Sequence, residues 1–140
     1  MNTTRRQARE LALQVLFQQE FVAEINAAQA LKNFKEAFEA PEEVWMYATK
    51  ILDGIRDKKA EIDSLIEKNS AHWRMPRMAL VDRNLLRIGV YEIAFSDGEV
   101  PPKAALNEAI EISKKYGTTD SSSFINGILD QVLRAQGSEQ

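Results

Sequence analysis

The chain has 140 residues, enough for one domain, or two small ones, with a sizeable core. Lys and Arg number 18 against 21 Asp and Glu, a formal charge of −3, so any basic surface has to be local. There is no cysteine and one histidine, His72, which excludes disulfides, zinc ribbons and thiol catalysis and leaves no basis for histidine metal sites or Ser-His-Asp chemistry.

Thr3 or Thr4 can cap a first helix running to about Glu20, with Ala8, Leu11, Ala12, Val15 and Leu16 as its buried stripe. Arg5, Arg6 and Arg9 cluster in its first two turns, where cations oppose the helix dipole at roughly 0.3–1 kcal/mol each. Two readings stand: a solvated basic end, or a phosphate-contacting arm that explains the unfavourable placement. Ala27 to Glu39 reads as a second helix, with Ala27, Ala30, Leu31, Phe34 and Phe38 on its apolar side. Pro41 suits the first position of a third helix. That helix carries Val44, Tyr47, Ala48, Ile51, Leu52 and Ile55 to an end near Gly54 to Asp57, with Trp45 and Met46 expected in the core. A fourth helix holds Ile62, Leu65 and Ile66. His72 to Pro76 breaks the pattern, because a proline disfavours helix at the residue before it. Trp73 is expected there as a core anchor and His72 as a surface or partner-bonded bystander.

From about Met78 to Phe95 the chain is at its most apolar, as befits a central helix contacted on several sides. Gly89 within it costs about 1 kcal/mol relative to alanine, tolerable where another helix approaches closely. Arg83 and Arg87 share its polar strip. Asp97-Gly98 is a turn signal, and Pro101-Pro102 restarts the chain. The next helix has the stripe Ala105, Leu106, Ala109, Ile110 and Ile112, with Lys114 and Lys115 in its last turn and Gly117 as its stop. Thr118, Thr119, Asp120 and Ser121 offer caps for a final helix whose buried face is Ile125, Ile128, Leu129, Val132 and Leu133. Phe124, Asn126, Gly127 and Asp130 do not all fit that face. After Leu133 the polar tail is expected to fray. No segment alternates with period two, and no run approaches the roughly 18 apolar residues of a membrane helix. The expectation is an all-α fold of about seven helices in two packed helical sub-bundles, residues 1–57 and 58–140. A reducing, cytoplasmic setting with no membrane partner goes with it.

No convincing set of catalytic groups, no glycine-rich phosphate loop and no Rossmann fingerprint is present, so neither an enzyme nor a cofactor is expected. Glu92, Glu108 and Glu111 sit on helices beside Arg and Lys, where salt bridges or partner contacts are commoner than acid–base work. What remains is a binding protein with two distant features. One is the arginine-rich helix start; the other is the 118–127 helix entrance, since helix N-terminal N–H groups bind phosphate oxygens. A protruding Phe124 can stack on an unpaired base, for about 1–3 kcal/mol. Single-stranded RNA suits the pair better than duplex DNA, because no isolated recognition helix appears. Asp120 either accepts a hydrogen bond from a base or 2′-hydroxyl or caps the helix, and spacing favours the cap.

Across nearly its full length the chain resembles the bacterial transcription antitermination factor NusB family. The motifs are RRQARELALQVLFQQE at Arg5 to Glu20, LVDRNLLRIGVYEI at Leu80 to Ile93, VPPKAALNEAI at Val100 to Ile110, and KKYGTTDSSSFINGILD ending at Asp130. The resemblance implies a non-catalytic all-helical protein that pairs with NusE, a small-subunit ribosomal protein. It also implies binding of boxA-type single-stranded RNA, and read-through by the transcription elongation complex, notably in ribosomal RNA operons. Carried over by position, the RNA-facing residues are Arg5, Arg6, Arg9, Asp120, Phe124 and Asn126, and the NusE-facing ones Phe17, Asp82 and Glu92. Gln7 stands where some relatives carry a further arginine. Relatives occur as monomers and homodimers, so a homodimer is a possible assembly. A NusB-like domain also forms part of certain RNA cytosine methyltransferases, but these 140 residues leave no room for a cofactor-binding α/β domain. The alternative from another class is a helical protein-interaction adaptor without direct RNA contact.

Overall fold

The computed structural model describes residues 3–22, 25–71 and 73–138, and His72 lies outside them. The elements are α1 (Thr3–Phe21), α2 (Ala27–Ala37), α3 (Glu42–Lys68), a short 3-10 turn (Met75–Arg77), α4 (Leu80–Ala94), α5 (Pro102–Tyr116) and α6 (Ser121–Ser138). The described residues are all-α, with six α-helices where about seven were expected. The third and fourth expected helices are one. Lys58 leaves helical geometry (φ −118°, ψ 18°), and α3 continues past it as a kinked rod. Lys58 and Lys59, where the next stripe position after Ile55 falls, are exposed, and the stripe resumes at Ile62. That polar gap reads as a helix end in sequence, yet no proline forces one.

Smaller expectations also change. Thr3 and Thr4 are already helical, so neither stands ahead of α1 as its cap. The polar tail continues as helix to Ser138 instead of fraying at Leu133. Trp45 is buried at 5% exposure, its indole N–H donating to the Ala40 carbonyl at 3.1 Å, whereas Met46 is 64% exposed. Trp73 is 48% exposed, so it anchors no core.

The core forms around α4, which touches α1, α3, α5 and α6. Leu85, Leu86, Ile88, Val90 and Ile93 of α4 are buried, each contributing about 1.5–3 kcal/mol of apolar burial. Glycines let two neighbours in. A Cβ at Gly89 would sit 2.6 Å from Leu129 Cδ1, so α6 approaches α4 as the sequence anticipates, and a Cβ at Gly54 on α3 would strike the Tyr91 ring of α4. Polar ties join α1, α3 and α4. Glu20 accepts two hydrogen bonds from Arg83, at 2.7 and 2.8 Å, and one from Asn84 at 2.9 Å. Arg87 donates to Asp63 at 2.9 Å and to Asn84 at 2.8 Å. The Arg83 bonds hold the Glu20 carboxyl below its ordinary range against the opposing effect of burial.

Gly54→Ala is expected to lose about 1–3 kcal/mol of stability through overpacking against Tyr91, although alanine is the better helix former. Chemical denaturation measures this, and a stabilised variant would show that α3 and α4 do not meet so closely.

Candidate nucleic-acid interface

The three arginines at the start of α1 are not equivalent. Arg9 is 3% exposed, and its guanidinium lies between two carboxylates. Nε donates to both oxygens of Glu92 at 2.8 and 3.0 Å, and Nη1 to Glu108 at 3.1 Å. Arg6 pairs with Glu108 through both of its oxygens, at 2.5 and 2.8 Å. Arg5 reaches Glu99 at 3.5 Å and lies 4.8 Å above the Tyr47 ring. Lys50 also pairs with Glu99, and the Tyr47 hydroxyl donates to Glu92. The outcome is a layered platform. Glu92 and Tyr47 form the floor, Arg9 and Glu108 the middle, and Arg5 and Arg6 the partly open top.

The electrostatics follow from that layering. Hydrogen bonding from Arg6 holds the Glu108 carboxyl below its ordinary range, and the same bond raises the Arg6 guanidinium. Burial, then the Glu92 charge, push the Tyr47 hydroxyl upward, so it stays protonated as a donor to Glu92. The carboxylates account for part of what the sequence left unexplained. No acid lies in the first turn of α1, but Glu99, Glu108 and Glu92, from the turn before α5, from α5 and from α4, come back to offset the cations against the helix dipole.

The second feature lies at the entrance to α6. Gly117 stops α5, but its φ of −97° and ψ of −168° are extended, not left-handed. Its lack of a Cβ makes room for Ser121, whose Oγ accepts from the Thr118 N–H at 2.9 Å. Ser113 and Ser122 bond through their hydroxyls at 2.8 Å and tie α5 to α6. Asp120 is exposed, and its backbone carbonyl accepts from the Phe124 N–H at 3.1 Å. Among the described residues no hydrogen bond falls on its carboxylate, so the expected side-chain cap is not formed. Asn126 and Gly127 are exposed, while Phe124 is half-buried with its ring edge-on to Trp73 at 6.3 Å. Among the described residues, no contact joins Arg5, Arg6 or Arg9 to Asp120, Phe124 or Asn126. Helix α5 connects the two features, with Glu108 under Arg6 and Tyr116 beside Gly117. At 1.5 Å per residue, positions 108 and 116 are roughly 12 Å apart along its axis.

Phe17 and Asp82 lie toward another surface. Phe17 is 37% exposed and packs edge-on to Phe21, which is 66% exposed. Leu13, Phe17, Gln18, Phe34, Val81 and Tyr116 line an apolar hollow of about 590 Å³. Asp82, next to Val81, is 9% exposed, and its Oδ1 has no hydrogen-bond partner; nor has Gln18 Oε1. Glu92 is 1% exposed and holds Arg9 and Tyr47, which places it beneath the arginines and not on the Phe17 and Asp82 face. Sequence reasoning missed Tyr47 and Glu99 as platform residues. The one available signal was an arginine cluster at a helix start with no acid in its own first turn.

Fold and site together define, over the described residues, an all-helical protein with a carboxylate-braced cationic platform and an apolar hollow lined by Phe17, Phe34 and Val81. The NusB family model matches residues 6–134, and the chain belongs to the NusB family. The "Transcription antitermination protein NusB" of Bdellovibrio bacteriovorus is 53% identical over 133 residues, covering 95% of this chain and 97% of that protein. A solved NusB structure from T. maritima is 33% identical, with a TM-score of 0.85 and full coverage of both chains. A chain from a crystal structure of antitermination factors NusB and NusE in complex with dsRNA is 31% identical. Its TM-score is 0.85, covering 96% of this chain and 99% of that one. Among the described residues, no helix is long and apolar enough to cross a membrane.

Arg9→Ala leaves Glu92 buried with its main cation removed, and is expected to lose about 3–5 kcal/mol of stability. Arg6→Ala, at a half-open position, should lose under about 1 kcal/mol. Urea unfolding distinguishes the two, and equal small losses would contradict the layered arrangement. The pH response has a defined sign. A carboxyl whose folded pKa is depressed stabilises the fold above its unfolded value, near 4.5, and that contribution disappears as pH falls through the folded value. Stability should therefore fall on acidification below about pH 4.5, and less steeply in Glu108→Gln. Identical slopes would mean that Glu108 has no depressed pKa.

Proposed function

We propose that this chain is a non-catalytic, RNA-binding transcription antitermination factor. It pairs with NusE, a small-subunit ribosomal protein, and binds boxA-type single-stranded RNA. Within the transcription elongation complex, in the cytoplasm, it promotes read-through by RNA polymerase, notably in ribosomal RNA operons. The observation that carries this reading is the near-complete likeness to a chain solved with NusE and RNA. That neighbour's RNA is described as double-stranded. The preference here for unpaired bases rests on Phe124, whose partly open ring offers a stacking surface that a closed duplex does not use.

Arg5 and Arg6 contact phosphates in this reading, while the buried Arg9–Glu92 pair anchors the end of α1 that carries them. Phosphate oxygens exchange with Glu99 and Glu108 for the guanidinium donors, so binding trades one ion pair for another. Asp120, Phe124 and Asn126 take the neighbouring nucleotides. At the other face, Phe17 and the hollow beside it receive an apolar segment of NusE. The adaptor reading draws support from the carboxylates that already neutralise the arginines.

Salt titration separates the two readings. With two phosphate-facing arginines, log affinity for a boxA-like single strand should fall against log salt with a slope of about −1.4. In the Arg5→Ala, Arg6→Ala double variant the slope should flatten. A flat wild-type response, or an unchanged double variant, sinks direct RNA contact. Phe17→Ala, at a 37% exposed position beside the hollow, should reduce capture of NusE with helical content unaltered, and undiminished capture moves the partner surface elsewhere.

A further inference from the structure

Trp73 is the largest side chain that the function above leaves unused. It departs from the core role its size suggests, with nearly half of its surface in solvent at 48% exposure. The backbone around it is tied by side-chain hydrogen bonds. Asn69 donates to the Leu65 carbonyl at 2.8 Å, and the Ser70 hydroxyl lies 2.5 Å from the Trp73 carbonyl and 3.1 Å from that of Glu67. The Glu67 carboxylate accepts from the Met75 N–H at 2.7 Å, and Arg83 donates to the Met75 carbonyl at 3.1 Å. The backbone beneath the exposed indole is thus already ordered by these bonds, which lowers the ordering cost of a contact there.

Its neighbours point to the ligand. The indole meets Phe124 edge-on, with ring centroids 6.3 Å apart and planes at 85°. Arg74 beside it has a side chain 80% exposed and only a 3.7 Å approach to Glu67. Arg77 on the 3-10 turn is exposed, and among the described residues no carboxylate pairs with it. Arg77 is less neutralised than Arg5, Arg6 and Arg9, and Arg74 shares its Glu67 carboxylate with the Met75 N–H. Two aromatic faces with flexible cations alongside match the chemistry of unpaired, negatively linked bases.

We propose that Trp73 is an RNA base-stacking residue. With Phe124 it forms an aromatic step, flanked by Arg74 and Arg77, that extends the RNA surface from the α6 entrance onto the 3-10 turn. The proposal rests on the RNA-binding reading above and adds a contact to it. The ligand is single-stranded RNA; a duplex keeps its bases stacked on one another and does not occupy the step.

The test uses the full chain and a short unstructured single-stranded RNA. Trp73 emission is isolated by subtracting the same titration of Trp73→Phe, which removes the contribution of buried Trp45. Single-stranded RNA should quench Trp73, and the duplex of the same sequence should not. Trp73→Ala should bind about tenfold more weakly, while Trp73→Phe stays within about threefold of wild type. Unchanged Trp73 emission at saturating RNA overturns the proposal. So does wild-type affinity in Trp73→Ala when Arg6→Ala and Phe124→Ala bind weakly, and Trp73 is then only a shield over Phe124. Absence of binding by wild type, or indifference to Arg6→Ala and Phe124→Ala, overturns the underlying RNA reading instead. If Trp73→Ala also loses stability, the quenching in wild type decides.

Discussion

Two ionic clamps hold α1 antiparallel to α4, and the positions of both candidate faces follow from them. Arg9 of α1 meets Glu92 near the end of α4, and Glu20 of α1 meets Arg83 and Asn84 near its start. Slipping α1 by one residue would break both sets of bonds and leave charges buried without partners, a penalty of several kcal/mol. Register is therefore fixed by charge as well as by the apolar stripe. Clamped in this way, α1 presents Arg5 and Arg6 at one end and Phe17 and Phe21 at the other.

The same clamp explains how a chain of net negative charge can offer a cationic surface. Among the arginines at that end, Arg9 is buried and carries structural load, while Arg5 and Arg6 remain half-open and reversibly paired. An approaching phosphate meets guanidinium groups already oriented by Glu99 and Glu108. Ordering cost is lowered in advance, at the expense of displacing those carboxylates. Affinity on such a surface is tempered and salt-dependent.

Much of the architecture was legible because it depends on periodicity. The α4 stripe announced a central helix, and Gly89 announced the close approach of α6. Arg5, Arg6, Phe124 and Asn126 were found at open or half-open positions for the same reason, since they lie off the filled stripes. What sequence could not carry is contact across long chain separations. Glu92 looks like any helical carboxylate until α1 is laid against α4, and only then is it the buried floor beneath Arg9. Trp73 misled because size suggests burial, whereas its exposure comes from the bonds of Ser70, Glu67 and Met75 around it. The kink at Lys58 was read as a helix end because a polar gap in a stripe looks the same whether the backbone stops or bends.

In the proposed function the arginine end of α1 and the entrance of α6, linked by the second half of α5, form one RNA surface. Backbone amide NMR of the full chain during titration with a boxA-like single-stranded RNA tests it most directly. The account predicts that resonances of residues 4–9 and 118–127 shift together and give a common dissociation constant. Shifts confined to one of these segments, or two different constants, would contradict it.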